Sequence, residues 1–309
     1  MENEKLILEQ MEKIFPDYKI SKIDKLDTGL SSSKIFLVSI RDKNQKFIFK
    51  IYPKDYKKRL EKEVNILREL KSSNIPLPNL IHFSLKKLFL IEEYIEGKIL
   101  YKIMDEMNFD KRIMISVGKS LARIHQLPPK EIWQNEEKIQ NKKSWIISVE
   151  KRNSSNLKDI LQFKIVSENN INFLKKYLKN FIQKIKTSKV FLCPVHGDYN
   201  PQNIIINDFE VKGIFDFEIH RIGHNLNDLG IAYYWYKFYA REELFHYLLK
   251  GYSEIIQLTN EDRSFIETYY IMQVIGALSF LIKNNLDKDA VLRLKNLLNY
   301  FLEEKKDKI

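Results

Sequence analysis

Apolar residues recur three and four apart at the start of the chain. Leu6, Ile7, Met11, Ile14 and Phe15 share one face of a helix predicted over residues 4–15, which Pro16-Asp17 ends. The period then shortens to two. Ile20 to Ile23, Ile35 to Ile40 and Lys46 to Tyr52 read as strands, with Asp42-Lys43-Asn44 as the turn between the last two. A helix is predicted over 58–70, a two-proline loop over 72–78, and strands near 80–83 and 88–91. Helical periodicity dominates afterwards, over 110–127 (capped by Asp110, stopped by Pro128-Pro129), 168–186, 241–257, 261–283 and 289–305. Residues 130–156, with Trp133 and Trp145, show no clean period and are expected to wrap the helical part. Three short apolar runs, 190–192, 204–206 and 211–215, with Asn207-Asp208 as a turn, predict a small hairpin-rich sheet.

Composition narrows the class. With 309 residues, 44% hydrophobic and 30% charged, the chain can bury a substantial core and is not a disordered type. Apolar runs such as Ile271 to Ile282 are broken by Gln273, Gly276 and Ser279, short of the roughly 20 residues a membrane span needs. The opening MENEKLILEQMEKIF is a charged amphipathic pattern rather than a signal peptide, so a cytoplasmic location is expected. A single cysteine, Cys193, excludes an internal disulfide and a cysteine zinc site. The formal charge of +11 sits in residues 1–195, while the part from His196 onward is net acidic. A basic half can serve nucleic acid or membrane headgroups. No zinc-finger spacing, RNP-like strand or unbroken basic block accompanies it, so solvated helix faces are expected, with no nucleic-acid or membrane partner.

The polar residues of the small sheet fall on its connections. His196, Asp198 and Asn203 lie on the first, and Asp216 and Glu218 at the end of the last strand. An Asp, an Asn five residues on and a second Asp one hairpin later is the set that magnesium-dependent phosphoryl transfer needs. One carboxylate takes the proton of the attacking hydroxyl; the amide oxygen and the other carboxylate hold Mg²⁺ on the nucleotide phosphates. Lys50 stands inside an apolar strand, where a lysine is costly unless paired. Asp27 to Ser33 is a small-residue loop between strands; such a loop is an ordinary hairpin connection or a place where backbone N–H groups approach phosphate.

His196-Gly197-Asp198-Tyr199-Asn200-Pro201-Gln202-Asn203 and Phe215-Asp216-Phe217-Glu218 together resemble the catalytic and metal loops of the aminoglycoside phosphotransferase and choline kinase superfamily. The resemblance implies an α+β, bilobal protein-kinase-like fold. Residues 1–96 would form a nucleotide-binding lobe, a small antiparallel sheet with one main helix, and 97–309 a larger, mostly helical lobe. It implies Asp198 as catalytic base, and Asn203 and Asp216 as Mg²⁺ ligands. Lys50 would sit on the phosphates of ATP or GTP, with Glu63 orienting it and Glu61 as the rival. Gly29, Ser31, Ser32 and Ser33 would cover the phosphates, and the backbone of Glu93, Tyr94 and Ile95 would meet the purine edge. His196 would brace its loop, His125 would pack, and Asp228 would hold the catalytic loop backbone. Glu218 stands where protein kinases have the glycine of D-F-G, only eleven residues separate Asp216 from Asp228, and no A-P-E follows, which argues against protein-kinase activity.

The implied partner is a small hydroxyl-bearing acceptor. The acidic balance of the C-terminal third suits a cationic one, with an aminoglycoside as the leading expectation and choline, thiamine or homoserine as alternatives. A nucleotide-binding scaffold without catalysis is the competing class. Oligomeric state is not legible in the sequence.

Overall fold

The computed structural model describes residues 2–26, 33–41, 45–106, 109–134 and 139–306. In chain order the elements begin with α1 (Glu2–Ile14), β1 (Ile20–Leu26), β2 (Lys34–Ile40), β3 (Lys46–Ile51), α2 (Lys57–Glu69), β4 (Leu80–Ser84), β5 (Phe89–Glu93) and β6 (Lys98–Ile99). There follow α3 (Leu100–Ile103), α4 (Lys111–His125), α5 (Lys142–Gln162), α6 (Glu168–Thr187), β7 (Leu192–Val195), β8 (Ile204–Asn207), β9 (Glu210–Ile214) and β10 (Arg221–His224). The chain closes with α7 (Leu226–Phe238), α8 (Phe245–Ser253), α9 (Asn260–Lys283) and α10 (Lys288–Lys306). By its contacts the chain forms two compact units, Met1–Ile99 with Asn203–Ile219, and Leu100–Gln202 with His220–Ile309.

The first unit is built on a five-stranded antiparallel sheet in the order β1-β2-β3-β5-β4. Strand alternation sends two sets of side chains to opposite faces. Phe36, Val38, Phe47, Phe49, Phe89 and Ile91 pack on one face against Ile7 and Met11 of α1. Lys50 and its cross-strand partner Leu90 lie on the other, where Tyr52, Leu60, Val64 and Leu90 form a second cluster under α2. Asn203–Ile219 joins this unit because β8 pairs with β6 and β9, and Ile214 N–H donates to Pro76 O at 2.8 Å. Asp208 (φ 50°) and Phe209 (φ 63°) make the left-handed turn between β8 and β9.

The second unit is helical, with one antiparallel ribbon of β7 and β10. The expectation of one hairpin-rich sheet around residues 190–215 is therefore corrected. The first strand runs over Leu192–Val195 and pairs with β10, while β8 and β9 belong to a separate sheet. Residues 130–156 also differ from expectation, since α5 occupies Lys142–Gln162 behind an Asn141–Ser144 capping box. Ser148 and Asn153 lie in its buried stripe beside Trp145, Val149 and Leu157, which hides the apolar period. Helix α7 went unpredicted because it is buried on nearly every side and so carries no amphipathic signal. Helix α9 is long and apolar enough to cross a membrane by composition, yet 67% of that window is buried inside the unit, against α5 and α7 among others.

Candidate active site

In the first unit the chemistry gathers around Lys50, which is 5% exposed. Its Nζ lies 2.9 and 3.2 Å from the two carboxylate oxygens of Glu63 and 3.3 Å from Glu218 Oε1. Glu63, rather than Glu61, is the partner because position 63 is on the buried face of α2 with Leu60, Val64 and Leu67. The Tyr52 hydroxyl donates to Glu63, and Arg59 Nη1 donates to Glu218 Oε2 at 3.2 Å. Burial pulls the Lys50 ammonium down, but Glu63, Tyr52, Asp216 and Glu218 outweigh it and hold its pKa well above the ordinary value. Burial raises the Glu63 carboxyl, Lys50 opposes, and Asp216 and Glu218 raise it further. Lys50 is thus a charged group fixed between two carboxylates, pointed by the sheet rather than left to solvent.

The other expected nucleotide residues are distributed as follows. Gly29, Ser31 and Ser32 lie outside the described residues, as does the Asp42-Lys43-Asn44 turn. Ser33 is buried just before β2. Glu93 N–H donates to Asn79 O at 2.9 Å and Tyr94 N–H to Lys46 O at 3.3 Å, so two of the three amides of that stretch already serve the sheet. Ile95 follows, its side chain against Gly213. One residue earlier stands a group the sequence reading passed over. Glu92 is 7% exposed and pairs with Ile48 of β3, on the Lys50 face of the sheet. Burial, the charge of Glu63 and that of Asp216 push its carboxyl up to about 8, against the pull of Lys50.

Asn203 and Asp216 are drawn together by backbone. Phe215 N–H donates to Asn203 O at 3.0 Å, and Asp216 follows in the left-handed region at φ 63°. A non-glycine residue is held there only when its surroundings over-determine it, which is common where a side chain must be aimed. The donor set, one amide oxygen and one carboxylate, suits Mg²⁺, which takes one or two protein oxygens and keeps phosphate and water for the rest. Among the described residues no group of three or more His, Cys, Asp and Glu is disposed to hold a metal alone. Glu63, Asp216 and Glu218 together outnumber Lys50 and Arg59, so the region has negative charge left for a divalent cation to balance.

In the second unit Asp198 sits on the loop after β7, and that loop is clamped from below. The wholly buried Asp228 accepts from His196 N–H at 2.7 Å and Gly197 N–H at 2.9 Å. His125 Nε2 donates to Asp228 at 3.2 Å, which makes Nδ1 the acceptor for the Tyr252 hydroxyl at 2.8 Å. Asn225 Nδ2 donates in turn to that hydroxyl at 2.9 Å. Burial would raise the Asp228 carboxyl, but His125, His196 and the Gly197 amide hold it below its usual range. His196 Nδ1 accepts from Asp198 N–H at 3.2 Å, and Tyr199 OH donates to Val117 O at 2.9 Å. Asp198 itself is half-buried and accepts from Trp235 Nε1–H at 3.3 Å. Trp235 stands out in the sequence within the aromatic run Tyr233 to Tyr236, which the resemblance places near the acceptor, but its bond to Asp198 does not. Tyr252 is not marked by anything local, since its bond to His125 spans a long stretch of chain.

A five-stranded sheet presenting a lysine to a helix glutamate, a hairpin ending in an aimed aspartate, and a clamped His-Gly-Asp loop define a protein-kinase-like fold. Residues 23–265 match the model of the phosphotransferase enzyme family (APH), and the chain belongs to that family. Among solved structures it is similar to choline kinase LicA from Streptococcus pneumoniae, with 16% identity, 98% of this chain and 100% of that one covered, and a TM-score of 0.70. It is likewise similar to ADP-bound aminoglycoside phosphotransferase APH(2'')-Ib, with 16% identity, 95% and 96% covered, and a TM-score of 0.67. A curated relative, KEOPS complex subunit Bud32 from Pyrococcus abyssi (strain GE5 / Orsay), is 26% identical over 72 residues, 23% of this chain. The match spans only 33% of that relative's length.

Proposed function

We propose that the protein transfers the γ-phosphoryl group of ATP or GTP, with Mg²⁺, to a hydroxyl of a small molecule. The observation that carries this reading is Lys50, a buried cation held by Glu63 and Glu218 in the sheet, where stability alone would favour an apolar side chain. Lys50 would bind the nucleotide phosphates, with Glu63 keeping it in place. Asn203 and Asp216 would hold Mg²⁺, which when bound neutralises phosphate charge and orients the γ-phosphoryl group. Ile95 N–H, the amide of the 93–95 stretch not used by the sheet, would donate to the purine edge. Asp198 would position the acceptor hydroxyl and take its proton, its loop kept in place by Asp228. In the chain Asp198 stands five positions before Asn203. A cytoplasmic site of action goes with this reading.

Acceptors open to it are aminoglycosides, with antibiotic resistance as the consequence, and choline-, thiamine- or homoserine-type alcohols. Support for an aminoglycoside or choline comes from the similar aminoglycoside phosphotransferase and choline kinase; thiamine and homoserine rest on the motif resemblance alone. The test is magnesium-dependent ADP or GDP release across such a panel. Asp198→Asn should lower turnover by about 10²- to 10⁴-fold and leave nucleotide affinity nearly unchanged. Full turnover in that variant would overturn the base assignment.

A further inference from the structure

Asp198 has aromatic neighbours in the second unit. Trp235, the hydrogen-bond donor to its carboxylate, is stacked by Tyr239 one helical turn on, with centroids 5.6 Å apart and planes 17° apart. Tyr101 leans on Tyr239 at 4.7 Å and 44°. Burial raises the pKa of the Tyr239 hydroxyl, with Tyr101 and Asp198 adding to it; the phenol is neutral and near enough to feel the carboxylate. Trp235 and Tyr239 are half-buried and Tyr101 is 38% exposed, so this wall of rings reaches solvent, unlike the enclosed Tyr199, Tyr236, Tyr252 and Tyr269.

The acids nearby are already committed. Arg241 binds Asp105 at 2.9 Å and Glu243 at 2.7 Å, and Lys237 binds Glu242 at 2.6 Å. Arg293 lies over the Phe238 ring at 4.9 Å and so occupies that face. A cation arriving at Asp198 meets the rings of Trp235 and Tyr239 beside that carboxylate. That environment suits a weakly hydrated, alkylated ammonium, which aromatic faces attract without hydrogen bonds. A polyammonium sugar needs several carboxylates to replace its hydration.

We infer that the acceptor is a small alcohol carrying a single alkylated ammonium, seated on Trp235, Tyr239 and Tyr101 with its hydroxyl at Asp198. The inference rests on the phosphotransferase reading of Asp198. The acceptor oxygen bonds to the γ-phosphorus of the nucleoside triphosphate while the β–γ bridging P–O bond breaks. The bridging oxygen leaves with the diphosphate, and the hydroxyl proton passes to the Asp198 carboxylate.

The experiment compares choline with its uncharged isostere 3,3-dimethylbutan-1-ol and with an aminoglycoside. Nucleoside diphosphate release is the first readout, and tetramethylammonium binding by tryptophan fluorescence the second. Trp235 is the reporter, because Trp133 and Trp145 are 1% and 3% exposed. Choline should show a KM about tenfold or more below the isostere. Tyr239→Leu should raise that KM by about tenfold with kcat within about threefold. Equal use of the isostere, turnover of the aminoglycoside but not choline, or a KM unmoved by Tyr239→Leu would overturn the substrate class. Asp198-dependent release with some other acceptor would still leave the phosphotransferase reading standing. Tetramethylammonium binding lost in Tyr239→Leu supports the cation site even where no transfer is seen. Neither binding nor transfer overturns both.

Discussion

Lys50 carries five physical obligations at once: a β-strand position, burial, two carboxylate partners and the Tyr52 ring, over which its ammonium lies at 5.0 Å. From sequence it was conspicuous because a cation in an apolar run demands a partner. Glu63 could be guessed from helix spacing, but the second partner, Glu218, lies 168 residues from Lys50 and depends on the hairpin that returns to the first unit. Glu92 was missed for the opposite reason. Two adjacent glutamates at a strand end read as solvated, and only the register with Ile48 turns one of them inward. Its carboxyl is ordinary at 4.5 in the unfolded chain and about 8 in the folded one. Between those values the folded state binds more protons, so stability falls as pH rises through that window. Glu92→Gln should therefore stabilise the protein above pH 8, by roughly 4–5 kcal/mol, and change little below pH 4. Urea midpoints at the two pH values check this; equal effects at both would remove Glu92 from the account.

Among the elements, α4 and α8 show how small residues locate the Asp198 loop. A Cβ on Gly118 would come within 2.0 Å of Leu248 O, and one on Gly251 within 2.0 Å of Ile115 O, so the two helices touch backbone to backbone. Helix α4 carries His125, which bonds Asp228, and Val117, whose carbonyl accepts from Tyr199, and α8 carries Tyr252, whose hydroxyl bonds His125. Gly251→Ala must push these helices apart and should cost about 1–3 kcal/mol, measured as a lower urea midpoint. Because the brace moves with them, turnover should fall further than nucleotide affinity. No loss of stability would mean that the helices separate freely. Helices with one apolar face were legible in sequence; α7 and the polar-striped α5 were not, because periodicity reports amphipathicity and these two are not cleanly amphipathic.

For the whole molecule, acid sensitivity follows from a histidine kept neutral. His224 is 2% exposed, bonded through Nδ1 to Tyr269 OH at 2.9 Å and edged by Trp145 and Phe265. Burial, then His125 and Lys142, lower its pKa from 6.5 to about 3. The unfolded chain binds the extra proton first, so stability is full above pH 6.5 and lost as pH falls toward 3, by on the order of 4 kcal/mol. Thermal midpoints between pH 7 and 4 should drop steeply, and His224→Gln should flatten that slope. An unchanged slope would assign acid unfolding to other groups.

The sequence by itself determined the kinase-like class and the polar residues at the centre of its loops. Those residues are close in the chain, and their chemistry dictates their types and spacing. Tertiary structure alone decided which carboxylates face Lys50, that Asp228 and His125 clamp the Asp198 loop, that Trp235 donates to the Asp198 carboxylate and that Tyr101 meets Tyr239. Each of those contacts joins residues far apart in sequence, and local periodicity carries no information about which distant faces meet.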